Sequence, residues 1–153
     1  MIKNILFTTV LIFADRLSKV MAAKYLADGT VMTVIPYFLG LRYSENTGMA
    51  FSMLSGKTVF LAVITAAALI IMAYFLFVKN YGERFEHFCF ILIFAGGVGN
   101  LIDRVFQGYV IDYFEFLFMD FAIFNVADVY VCIGVGLYAI YTFYTEFYKK
   151  ENK

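Results

Sequence analysis

An all-α membrane protein of four transmembrane helices, with a small extracytoplasmic β-like flap between the first and second spans, is the fold class that the sequence predicts. Three observations predict it. The 153-residue chain is 63% hydrophobic and only 16% charged, whereas a soluble domain is about a quarter charged. Apolar stretches long enough to cross a bilayer recur along it, separated by segments that hold most of the charges. Between the first two stretches lies a run of β-branched and aromatic residues broken by Pro36. At this length the chain reads as one integral-membrane domain, 1–153, with spans at about 5–26, 58–78, 88–106 and 128–147.

The first stretch, Ile5 to Leu26, is interrupted by Asp15, Arg16 and Lys19. A cleaved signal peptide is the alternative, since Lys3, an apolar run and Ala22-Ala23 follow in order. Signal peptides seldom carry such charges between the apolar core and the cleavage site. Asp15, Ser18 and Lys19 fall three and four residues apart, so on a retained helix they form one polar stripe that can face into a bundle.

Next comes the largest segment outside the spans, about 27–57. Thr30 to Ile35 and Tyr37 to Tyr43 read as two short strands or a hairpin-like flap on the outer surface. Asn46-Thr47-Gly48 reads as a turn. Thr58 to Val78 is the clearest span, with 21 residues, no charge, and Lys57 and Lys79 at its borders. Such a helix is about 31 Å long, which matches the bilayer's hydrocarbon core.

The third span runs from Phe88 through Asp103 and Arg104. Gly96, Gly97 and Gly99 within it allow another helix to come close. Asp112 follows where this span is expected to close, and Asp128 stands where the last one opens. The loop between them is rich in Phe, which suits the membrane interface. Val129 to Thr145 is uncharged and precedes the basic tail Lys149, Lys150 and Lys153.

Orientation follows from the basic residues. Lys3, Lys79, Arg84 and the three tail lysines fall on one side, against Lys24, Arg42 and Lys57 on the other. Both termini are therefore expected in the cytoplasm, with Asp112 and Asp128 near the extracytoplasmic face. Cys89 and Cys132 lie inside spans without a ligand motif and read as packing residues. His87, at the cytoplasmic entrance of the third span, reads as an interfacial histidine.

Charged side chains beside hydrocarbon cost at least a few kcal/mol, so those present need a purpose or a partner. Asn100 and Arg104 share a helical face, and Asn125 precedes Asp128 by one turn. Asp103 and Arg104 read as a self-neutralising pair. Two carboxylates at one depth suit an aspartyl hydrolase, because neighbouring acids share a proton and so supply both an acid and a base. The residues alone leave other classes open: a transporter or proton relay, a scaffold whose polar groups only join helices, or a divalent-cation site built from the Asp pair and Asn oxygens. The acids lie at one face and no internal repeat is detectable, which weighs against a transporter.

Five stretches together resemble signal peptidase II, the lipoprotein signal peptidase family: Asp15-Arg-Leu-Ser-Lys19, Asn46-Thr-Gly-Met-Ala-Phe51, Gly99-Asn-Leu-Ile-Asp-Arg104, Gly108-Tyr-Val-Ile-Asp112-Tyr-Phe and Phe124-Asn-Val-Ala-Asp128. They run from the first span to the last, in the family's order. The resemblance implies a multi-pass aspartic endopeptidase of the bacterial cytoplasmic (inner) membrane. It would cut prolipoproteins just before a cysteine carrying a diacylglyceryl group. It further implies Asp112 and Asp128 as the catalytic dyad, with Asn46, Asn100, Arg104 and Asn125 shaping the site or donating to an oxyanion. Asp15, Lys19, Gly97 and Asp103 would support them. Prolipoproteins and membrane lipids are the expected partners, the chain is expected to act as a monomer, and no metal, cofactor or nucleic acid is expected.

Overall fold

The computed structural model describes residues 2–49, 53–79 and 82–151, with side chains as far as residue 147. It is mostly helical. Helix α1 (Ile2–Tyr25) leads into strands β1 (Met32–Ile35) and β2 (Leu39–Asn46). Helix α2 (Thr58–Ala73) follows, and its last turn widens into a π-helical segment, Tyr74–Val78. Helix α3 (Arg84–Gln107), strand β3 (Val110–Phe116) and helix α4 (Val126–Glu151) complete the chain.

Among the described residues three helical stretches are long and apolar enough to cross a membrane: Thr58–Val78, Arg84–Gln107 and Val126–Phe147. Helix α1 is as long as α3, 24 residues, but carries Asp15, Arg16, Lys19 and Lys24. Its polar stripe turns inward as expected, with Asp15 and Lys19 fully buried.

Helix ends follow local chemistry. Glu83 and Glu86 form a reciprocal capping box that starts α3, satisfying amides that have no partner within the helix. Gly108, at φ +81°, ends that helix in the left-handed conformation that glycine adopts without strain. Helix α3 is central and packs against α1, α2 and α4. Its glycines make the close approaches possible. A Cβ on Gly96 would strike the Ala127 carbonyl of α4, and one on Gly97 would come within 2.9 Å of Leu69 Cδ2 on α2.

The flap differs from the expected hairpin. It is a three-stranded antiparallel sheet in the order β1-β2-β3, and its third strand comes from beyond α3. Val110 to Phe116 therefore forms a strand, not part of an aromatic loop. Asp112 accordingly lies in the middle of β3, opposite Ser44 of β2, and not at the close of a helix. The reason is Gly108, which stops α3 early enough for the β-branched and aromatic residues after it to pair with β2. The chain then doubles back, and Phe114 and Phe124 form an antiparallel bridge. His87 is buried, and among the described residues no hydrogen-bond partner reaches either ring nitrogen.

Candidate active site

Asp128 is placed by the start of α4. Its backbone N–H donates to Asn125 Oδ1 at 3.0 Å, and its Oδ2 accepts from the Asn125 N–H at 3.1 Å. This reciprocal cap puts the carboxylate at the positive end of the helix, where negative charge is favoured. Asp112 reaches the same place from β3. Its Oδ1 accepts from Asn125 Nδ2 at 2.6 Å, and its Oδ2 accepts from Asn46 Nδ2 at 3.0 Å.

One fully buried amide, Asn125, thus touches both aspartates. A second amide repeats the pattern. Asn100 Nδ2 donates to Asp128 Oδ1 at 2.8 Å, while Asn100 Oδ1 accepts from Asn125 Nδ2 at 3.2 Å and from Lys19 Nζ at 2.8 Å. Each carboxylate oxygen of the pair therefore has an N–H donor, and the directions of both amides are fixed by what they touch. Burial, together with the nearby Asp128 charge, pushes the Asp112 carboxyl up from 3.8 to about 6. The Asn46 and Asn125 amides and Lys19 oppose that rise. The pair thus holds a proton at a pH where an ordinary carboxylate would have lost it.

Behind the amides lies a buried charged cluster. Lys19 Nζ is 3.1 Å from Asp15 Oδ2 and 2.9 Å from Asp103 Oδ2, and Arg16 binds the other oxygen of Asp103. Asp15, Lys19 and Asp103 are fully buried, and the partly exposed Arg16 supplies the second positive charge that balances the two acids. This corrects the expected Asp103–Arg104 pair. Neighbours on a helix point about 100° apart, so they seldom face one partner. Arg104 turns the other way, and its Nη2 donates to the Gly48 carbonyl at 2.8 Å. Asp15 also accepts the Ala127 N–H at 3.0 Å, which ties α1 to the residue before Asp128.

A cavity of about 690 Å³ opens in front of the aspartates. Asn46, Gly97, Asn100, Arg104, Asp112 and Asp128 line it at the polar end, and much of the rest is apolar, including Leu61, Val129, Val131 and Ile133. Asn125, expected at the site, is buried behind this wall. Asp15, Lys19 and Asp103 lie deeper and do not reach the cavity. Ala50 and Phe51 of the second matching stretch fall outside the described residues. Arg16 was missed as a site residue, although its place between Asp15 and Lys19 was a signal. Cys132, one turn beyond Asp128, is exposed on the cavity wall and is not a buried packing residue. Among the described residues no three His, Cys, Asp or Glu side chains are gathered as a metal centre requires.

The arrangement of a buried carboxylate pair, amide donors and an apolar cavity can be compared with known proteins. Residues 7–144 match the sequence model of the family described as "Signal peptidase (SPase) II". The chain belongs to the signal peptidase II family. It is 40% identical to the lipoprotein signal peptidase of Streptococcus pyogenes serotype M2 over 136 residues, 89% of this chain and 90% of that one. It is 38% identical to the Enterococcus faecalis lipoprotein signal peptidase over 149 residues, covering 97% and 92%. Among solved structures, a bacterial membrane enzyme determined by the in meso method at 2.3 Å resolution superposes with a TM-score of 0.89. The two share 35% identity, with 100% of this chain and 94% of the other covered. The family and these neighbours make the chain a bacterial membrane protein and a peptidase.

Proposed function

We propose that this signal peptidase II family member, which removes signal peptides from prolipoproteins, cuts just before a diacylglyceryl-modified cysteine and does so as an aspartic endopeptidase. The observation that carries the reading is the amide of Asn125, which holds Asp112 and caps Asp128 at the polar end of an otherwise apolar cavity. The ionised carboxylate takes a proton from water as the water oxygen attacks the scissile carbonyl. The protonated one donates to the carbonyl oxygen, giving a neutral tetrahedral intermediate. The C–N bond then breaks, a proton passes to the departing cysteine amine, and the pair regains its single shared proton. Among the described residues Arg104 keeps an N–H free to donate to the substrate backbone or to the carbonyl oxygen as charge develops there, while Asn46 shapes the site by holding Asp112.

The apolar wall suits the acyl chains of the modified cysteine, which supports a lipid partner. Helix α1 completes a four-span bundle within one domain, 1–153, with both termini cytoplasmic and the aspartates near the outer face. The chain acts as a monomer. The test is incubation of the purified protein in detergent with lipid-modified and unmodified forms of one precursor. Efficient shortening of the lipidated form with little of the other is expected. Equal rates on both would point to a general signal peptidase.

A further inference from the structure

Asp112 rides on β3, and β3 has irregular backbone support at that point. On the β2 side, Ser44 faces Asp112 and Leu41 faces Phe114, so Arg42 and Tyr43 together stand opposite the single residue Tyr113. An extra residue in one strand is a bulge, which interrupts the ladder and bends the strand. On the other side, the Ile111 N–H reaches Asp103 Oδ2 at a long 3.3 Å, while the Tyr113 and Phe114 N–H groups share the Phe124 carbonyl at 3.0 and 2.8 Å.

A side chain also ties this part of β3 to α1. Side chains alternate along a strand, so with Asp112 facing the cavity, Tyr113 faces away from it. Tyr113 is 5% exposed and packs with Ala22, Leu26 and Ile111. Its hydroxyl lies 2.7 Å from Ser18 Oγ, and Ser18 donates to the Asp15 carbonyl at 2.7 Å. The single serine proton is thereby engaged, so Tyr113 donates and Ser18 accepts. Helix α1 thus grips both carriers of the dyad: Asp15 holds the first turn of α4 through the Ala127 N–H, and Ser18 holds β3.

We propose that Ser18 and Tyr113 are positioning residues for the cleavage reaction, their hydrogen bond setting the distance at which β3 presents Asp112 to Asp128. The proposal rests on the dyad reading of Asp112. Neither residue touches the cavity, so neither contributes to substrate binding. Both act through the strand.

The test compares Tyr113→Phe, Ser18→Ala, their double variant, Ser18→Thr and Asp112→Asn on the lipidated precursor, with Tyr43→Phe as control. Tyr43 lies on the same sheet and bonds Glu45 at 3.0 Å. A 1 Å misplacement of reacting groups costs roughly 100-fold, so Tyr113→Phe and Ser18→Ala should each lower kcat by roughly tenfold or more with KM nearly unchanged. The double variant should be little worse than the worse single one. Ser18→Thr, which keeps the hydroxyl, should restore the rate, and Tyr43→Phe should match wild type. The groups bearing on Asp112 are Asp128, Lys19 and Arg104. Loosening Asp112 from Asp128 should move the limb for loss of the shared proton to lower pH. Wild-type kcat in Tyr113→Phe and Ser18→Ala would overturn the proposal. So would a fall that merely follows lost folded protein with the pH limb unmoved. An active Asp112→Asn would instead sink the dyad reading; an inactive one beside a fully active Tyr113→Phe would sink this inference alone.

Discussion

Replacing Gly96 by alanine adds one methyl group where α3 meets α4. The new Cβ would collide with the Ala127 carbonyl oxygen and would sit 2.8 Å from Val131 Cγ2 and 3.2 Å from the Ala127 carbonyl carbon. Carbon atoms rest about 3.5–4.0 Å apart, so the helices must separate by something on the order of 1 Å. The obstacle is backbone and cannot rotate aside. Overpacking of this kind costs about 1–3 kcal/mol. Ala127 immediately precedes Asp128, so the same displacement carries that carboxylate away from Asn100 and Asp112, at a cost of roughly 100-fold in rate. Gly136 offers a matched control on α4, since a Cβ there meets nothing within 4 Å. Alanine at such a helical position is favourable by about 0.5–1 kcal/mol. Thermal unfolding in detergent and steady-state cleavage of a lipidated precursor read both consequences. Gly96→Ala should melt lower and turn over roughly 100-fold more slowly, while Gly136→Ala should match or exceed wild type in stability. Indistinguishable behaviour of the two variants would refute the view that close α3–α4 contact positions Asp128.

Stability should depend on pH through Asp112. Its folded value of about 6 lies above the ordinary 3.8, so the folded state holds a proton that the unfolded chain releases. Stability from this group is therefore present below about 3.8 and lost as pH rises through about 6. Unfolding measured across that window should show the decline, and Asp112→Asn should flatten it. Activity should also fall as pH rises through the upper apparent pKa of the pair, because the reaction needs one shared proton. Asp103→Asn should act mainly on stability, weakening the pairs with Lys19 and Arg16. Breaking a buried pair costs about 3–5 kcal/mol, so a melting temperature equal to wild type would contradict the cluster's role.

Much of this was legible in the residues, and what was not has physical causes. Uncharged runs marked α2, bounded by Lys57 and Lys79, and α4, ahead of the basic tail, because burial in hydrocarbon excludes charge over a whole helix length. The three-and-four spacing of Asp15, Ser18 and Lys19 marked the inward face of α1. Strand β3 was missed because its partner β2 is separated from it by two helices, and no local pattern reports such a pairing. Its mixture of Val, Ile, Tyr and Phe around one acid looks equally like the end of a span. The partner of Asp103 was misread for a related reason: adjacency along a helix does not place side chains on one face, and the actual partners come from α1. The bulge opposite Tyr113 and the bond to Ser18 exist only once β3 is in place, so no spacing could have revealed them.

The most direct measurement is cleavage of one lipid-modified precursor by purified wild-type, Asp112→Asn and Asp128→Asn proteins in detergent. Asparagine keeps the size of each side chain but removes its titratable proton and exchanges one acceptor oxygen for a donor. Each single variant should insert, purify normally and show no turnover, and the double variant should be no worse than either. Near-normal cleavage by either single variant would remove that aspartate from the reaction, and near-normal cleavage by both would contradict the aspartic mechanism.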